Sequence, residues 1–218
     1  TSPSTTQPAR SSGARAAVID RAGDLRASAK SAMADHGADH RDPQVWWAAV
    51  ETALAAALRG VDAGAVRALA VDGTSGTMLG LAADGTPLGA GLMYNDPCTD
   101  QGILDAITRH APPISAAHGP TSGAARAMLL ARRGAVRVAH QADWIASRFS
   151  GRIVSDANNA LKTGYDPVAA RWPDWLSQAG VDLSALPPVV EPGTVTGTVT
   201  PAAAGRFGLP ADCRVVAG

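Results

Sequence analysis

Cysteine is nearly absent: Cys98 and Cys213 are the only two in 218 residues. They lie far apart and in no metal-ligand spacing, which argues against a disulfide framework or a zinc ribbon. With no signal-like segment, a reducing cytoplasm is the expected setting. There is no excess of either charge, because Lys+Arg and Asp+Glu both number 19. A chain that grips nucleic acid or an anionic membrane carries a basic excess, so neither partner is expected. Aromatics other than tryptophan are scarce, with two Tyr and two Phe, which also opposes a nucleic-acid binder. No apolar run reaches the ~18 residues of a membrane span. No glycine-rich segment ends in Gly-Lys-Ser/Thr, so a P-loop is excluded. No repeat with a period of 20–50 residues is visible.

What is present is enough apolar material for a core. Hydrophobic residues make up 46% of the chain and charged residues 17%, which excludes disorder of the whole. Thr1 to Arg10 is Ser, Thr, Pro and Ala without apolar periodicity and reads as a tail or linker. Ala16–Asp20 and Leu25–Met33 flank turn residues around Gly23 and read as a β-hairpin. Asp42 and Pro43 form an N-cap and N1 pair. Trp47, Val50, Leu54 and Leu58 then recur at helical steps, up to a stop at Gly60. Val66–Val71 reads as a strand. Met78–Ala82 and Leu88–Tyr94 read as a second hairpin. Short helices are expected over Ile103–Ile107, from a Thr121 cap to Leu130, over His140–Phe149, over Trp172–Gln178, and from a Thr200 cap to Phe207. Cys213–Ala217 reads as the last strand. Early hairpins followed by helix–strand alternation predict an α/β fold with a sheet part antiparallel and part parallel.

Asp72-Gly73-Thr74-Ser75-Gly76-Thr77 carries the most chemistry. It follows an apolar strand, and strand ends are where open α/β sheets place ligands. Its small residues let a ligand approach the backbone, and its hydroxyls suit sugar hydroxyls or phosphate oxygens. The same letters also make a plain tight turn. Ser11-Ser12-Gly13 is a second hydroxyl–glycine segment, and by itself a flexible linker is the simpler reading. Tyr94-Asn95-Asp96-Pro97-Cys98 is a turn that can project Asn95 and Asp96 into a polyol site. Cys98, with no base evident, reads as a buried thiol. His140 and Asp143, at i and i+3, read first as a capping or core-anchoring pair and second as metal ligands. Ser155 to Lys162 is dense in amides; it either ties its own loop together or lines a polar pocket through Asp156. Trp47, Trp144 and Trp175 read as core.

Taken in order, these segments resemble the N-terminal domain of the FGGY carbohydrate kinases. The text that carries the resemblance is Ser-Gly-Ala-Arg-Ala-Ala-Val-Ile-Asp (12–20), Val-Asp-Gly-Thr-Ser-Gly-Thr (71–77), Leu-Met-Tyr-Asn-Asp (92–96), His-Gln-Ala-Asp-Trp (140–144), Ser-Asp-Ala-Asn-Asn-Ala-Leu-Lys-Thr-Gly-Tyr-Asp-Pro (155–167) and Pro-Pro-Val-Val-Glu-Pro-Gly (187–193). Within the family, the 72–77, 94–98, 140–144 and 158–162 segments look most like the D-ribulose kinases of cyanobacteria and plant plastids. Xylulose kinases usually carry Met-His where Ser75 and Gly76 stand, and a Trp where Tyr94 stands.

The resemblance implies an RNase H-like fold of the actin/hexokinase/Hsp70 type, with a single N-terminal domain over 11–218. It implies a ketopentose substrate, with D-xylulose or another ketose as the alternative to D-ribulose. The implied sugar contacts are Ser12, Gly13, Asp72, Thr74, Ser75, Asn95 and Asp156. It further implies ATP and Mg²⁺, used by the full-length enzyme with a C-terminal ATP-binding domain that this chain lacks. That domain would come in cis or from a split-gene partner. The Asp of the family's first loop falls on Pro8, which cannot ligate Mg²⁺. The catalytic Asp is expected just past Gly218, so the chain alone is expected to be inactive. A non-catalytic sugar-binding module is the alternative from another class. Both ends of the chain read as cut.

Overall fold

The computed structural model describes residues 13–218. The expected tail and Ser12 lie outside the described residues. The chain divides into two compact units, one ending at Ala63 and the other running from Gly64 to Gly218.

The first unit is a hairpin and a helix. Strand β1 (Gly13–Ile19) pairs antiparallel with β2 (Leu25–Ala32), with a register shift between Val18 and Ile19. The turn closes because the Asp20 carboxylate accepts from the amides of Ala22 and Asp24 at 2.8 and 3.0 Å, and Gly23 supplies φ +88°. Helix α1 (Pro43–Leu58) starts as the sequence predicts: Asp42 accepts from the Gln44 amide at 2.8 Å, and Pro43 opens the first turn. Asp42→Ala is expected to cost about 1 kcal/mol, read as a lowered midpoint in urea.

The buried stripe of α1 differs from the expected one. It runs through Val45, Trp46, Ala49, Ala53, Ala57 and Leu58; of the expected stripe Leu58 is buried, while Trp47, Val50 and Leu54 are only half-buried. The cause is the helix's alanine content. A helix that lies close to a sheet needs small residues at the contact, so the alanines go inward and the larger Val50 and Leu54 stay at its flanks. Trp46 also finds a partner for its indole N–H, the His40 carbonyl at 2.6 Å.

The second unit contains β3 (Ala68–Val71), β4 (Met78–Leu81), α2 (Gln101–His110), α3 (Gly123–Arg132), β5 (Arg137–His140), α4 (Gln141–Ser150), β6 (Ser155–Asp156), α5 (Ala157–Leu161), α6 (Trp175–Gln178), β7 (Val189–Val190), β8 (Val195–Thr198), α7 (Pro201–Phe207) and β9 (Arg214–Ala217). Parallel and antiparallel pairing are mixed, as predicted. β3 pairs parallel with β9, which pairs antiparallel with β8. β4 pairs antiparallel with β5, and β6 parallel with β7.

The expected second hairpin is present only as two isolated bridges, Met78 to Leu92 and Leu81 to Pro87. Pro87 has no amide to donate, and Gly89 takes φ +134°, so the returning segment cannot run as a strand. The cap of α3 is Ser122, whose hydroxyl accepts from the Ala125 amide, and not the neighbouring Thr121. Trp172 lies before α6 and donates its indole N–H to the Pro187 carbonyl at 3.1 Å. Ile103 and Ile107 of α2, Ala124 and Leu130 of α3, Met78, Val138 and Leu176 form the main core. Trp144 and Trp175 are buried, as expected. No helix among the described residues is long and apolar enough to cross a membrane.

Candidate functional site

The segment Asp72–Thr77 leaves the C-terminal end of β3 and returns as β4. Its shape is fixed from three sides. Asp72 accepts from the Gly73 amide at 2.7 Å. A Cβ on Gly73 would stand 3.2 Å from that of Ala142, so the loop lies directly on the first turn of α4. The Thr77 amide donates to the Thr74 carbonyl at 3.3 Å, and Gly76 takes φ +89°. Thr77 is fully buried; its carbonyl accepts from the Gln141 amide at 2.9 Å. Thr74 is exposed and Ser75 half-buried. Their hydroxyls make no hydrogen bond among the described residues. A rigid loop that leaves two hydroxyls uncommitted is suited to a polar ligand.

The Tyr94–Cys98 turn adjoins this loop. The Thr77 hydroxyl accepts from the Tyr94 amide at 3.2 Å. Asp96 closes the turn on itself, its carboxylate accepting from the Met93 amide at 2.8 Å. Asn95 is exposed, and its amide group has no partner among the described residues. Cys98 is 3% exposed and sits in the main core, in keeping with its reading as a buried thiol.

Asp156 is buried and already occupied. It caps α5, accepting from the amides of Asn158 and Asn159 at 2.8 and 3.0 Å and from Asn159 Nδ2 at 2.6 Å. It lines a small crevice with Asp143 and Ala142 of α4, at the C-terminal ends of β3 and β9. His140 and Asp143 act as the capping pair the spacing suggests, the His140 amide donating to Asp143 Oδ2 at 3.4 Å. The His140 ring meets the Thr163 hydroxyl at 3.3 Å. Burial lowers the His140 pKa to about 4. Burial raises that of Asp143 to about 8; the Asp156 charge adds to the rise, while the Ser155 hydroxyl and the His140 amide oppose it. Both groups are therefore neutral near pH 7. No group of three or more His, Cys, Asp or Glu among the described residues could hold a metal ion.

Gly13 belongs to the first unit, where it opens β1. A Cβ there would stand 2.6 Å from the Ser31 carbonyl oxygen, so its local role is close strand pairing. Asp72, Thr74, Ser75 and Asn95 occupy the adjoining loop and turn of the second unit. The structure adds Arg126, a residue that sequence reasoning does not single out. It is 1% exposed and donates to the carbonyls of Thr121, Tyr94 and Asp96 at 2.6, 2.5 and 3.1 Å. Its one signal in the sequence is a single charge inside the small and apolar run Gly123–Leu130.

No family model matches the chain. Over 90 residues it is 41% identical to an autoinducer-2 kinase of Enterobacter sp. (strain 638), a match spanning 39% of this chain and 17% of that protein. Over 78 residues it is 44% identical to an autoinducer-2 kinase of Yersinia enterocolitica, spanning 35% and 15%. Among solved structures, a gluconate kinase from Lactobacillus acidophilus superposes with a TM-score of 0.76 at 18% identity, covering 94% of this chain and 45% of that one. A xylulose kinase from Rhodospirillum rubrum gives 0.76 at 22% identity, covering 94% and 46%. A Plasmodium falciparum glycerol kinase with ADP gives 0.74 at 11%, again covering 94% and 46%. The chain thus spans less than half the length of these structures. It has the actin/hexokinase-like α/β fold of these sugar kinases.

Proposed function

We propose that residues 11–218 are the sugar-binding half of an ATP-dependent carbohydrate kinase, with a D-ribulose-type pentulose as its first candidate substrate. The observation that carries the reading is the Asp72–Thr77 loop. It sits at a strand end, is held by backbone hydrogen bonds, and offers the hydroxyls of Thr74 and Ser75, with the unpartnered amide of Asn95 on the adjoining turn. Phosphoryl transfer asks little covalent work of a protein; it asks for alignment and charge neutralisation. This half supplies alignment of a neutral polyol. ATP and Mg²⁺ are assigned to the part of the family enzymes this chain does not span. D-xylulose and, from the autoinducer-2 kinase matches, autoinducer-2 are the competing substrates.

The test is a coupled assay of ADP release with MgATP and each of the three substrates, alongside calorimetry of sugar binding. D-ribulose is expected to bind with the highest affinity. Thr74→Val and Ser75→Ala are each expected to weaken it about fivefold, the loss of one neutral hydrogen bond. The chain alone is expected to release no ADP above background, and absence of binding with all three sugars would overturn the proposal.

A further inference from the structure

Arg126 is an expensive residue to enclose. The residue is 1% exposed, and its guanidinium carries no hydrogen bond on Nε. Taking such a cation out of water is unfavourable, and an apolar side chain of similar length would fill α3 at lower cost. What it does instead is join three separate carbonyls. Thr121 precedes the cap of α3, whereas Tyr94 and Asp96 belong to the turn beside the Asp72–Thr77 loop. Its fork of donors gathers carbonyls from two chain segments, and a lysine ammonium at the same place keeps the charge and enough donors to reach more than one of them.

The same guanidinium reaches the loop. A Cβ on Gly76 would stand 3.7 Å from Arg126 Nη1, 3.7 Å from Lys162 Cδ and 3.8 Å from Tyr94 Cβ. Gly76 therefore lies in a cradle with Arg126 as one wall. Tyr94 is fixed from both ends of its backbone, its amide by the Thr77 hydroxyl and its carbonyl by Arg126, while half of its own surface stays exposed.

We propose that Arg126 is a positioning residue of the sugar site, clamping the Tyr94–Asp96 turn so that Asn95 is presented beside Thr74 and Ser75. This rests on the sugar-binding reading above. Arg126 itself touches no ligand; it acts through the backbone it holds.

The test compares Arg126→Lys, Arg126→Met and Thr77→Val, the last releasing the same turn from its other side with little change of shape. Calorimetry with D-ribulose and D-xylulose, amide exchange of residues 93–96 and thermal unfolding are measured on each. Arg126→Met and Thr77→Val are expected to weaken sugar binding about tenfold and to speed exchange at 93–96, with Arg126→Lys recovering most of both. If Arg126→Met fails to fold, the Lys and Thr77 variants decide. Sugar affinity unchanged in Thr77→Val, or Lys no better than Met, overturns the inference while leaving the sugar-binding reading intact. A wild-type protein that binds neither sugar overturns both.

Discussion

Gly164→Ala is expected to destabilise the protein by about 3 kcal/mol, the sum of backbone strain and overpacking. Gly164 has φ +104°, a conformation L residues rarely adopt. An added Cβ would also stand 2.6 Å from Trp175 Cζ2 and 2.9 Å from Cη2, with Leu176 Cδ2 at 3.4 Å. Trp175 cannot swing aside, because it is 9% exposed and packed in the main core. Gly119 provides the control. It has φ +92°, yet nothing lies within 4 Å of its Cβ position. Gly119→Ala should cost about 1 kcal/mol, the strain alone. Urea unfolding of the pair measures the difference. Equal losses would show that the indole ring yields freely.

Asp143→Asn is expected to stabilise the protein, and more so as pH rises. The carboxyl titrates near 3.8 when unfolded but near 8 when folded, chiefly because it is buried. Between those values the folded state holds a proton that the unfolded state has lost. Stability therefore declines with rising pH across this window and levels off above about pH 8. His140 works from the other side. Its folded pKa is lowered from 6.5 to about 4, so stability also declines as pH falls through that interval. The substituted amide would keep the shape of the neutral acid and an oxygen for the His140 N–H, and remove the first of these two slopes. The gain above pH 8 is on the order of a few kcal/mol. Denaturant unfolding at whole pH units from about 5 to about 9 checks it. A variant with the wild-type slope would be incompatible with a protonated Asp143.

The elements that can be read from sequence are those whose signals are local. Asp42-Pro43 marks the start of α1 because both effects act within one turn. Gly151 and Gly208 end α4 and α7 in the left-handed conformation for the same reason. The stripe of α1 lies beside the one its larger residues suggest, because alanine carries little hydrophobic contrast. Which side faces the hairpin is then decided by how closely the backbones approach, which sequence does not display. The cap of α3 falls on Ser122, one residue past the Thr121 the sequence suggests, and Thr121 instead gives its carbonyl to Arg126.

The candidate site divides in the same way. The Asp72–Thr77 loop and the Asn95 turn show themselves through turn chemistry. Asp156 is legible as a polar-loop residue, but its bonds to Asn158 and Asn159 give it a structural occupation that the sequence leaves open. Beyond its lone charge in an apolar run, the role of Arg126 is hidden because its partners Tyr94 and Asp96 lie 32 and 30 residues earlier in the chain. An arginine on a helix reads by default as a solvated side chain.

The two cysteines, too few and too far apart to build a framework, equip the molecule with its own reporter. Cys98 and Cys213 are 3% and 0% exposed, and burial pushes the Cys213 thiol up, away from the reactive thiolate. Both lie in the second compact unit, and the first has none. A thiol reagent can reach them only when that unit opens. Its labelling rate therefore reports the opening of the unit that holds the Asp72–Thr77 loop, with no engineered probe and no signal from the hairpin and helix of the other.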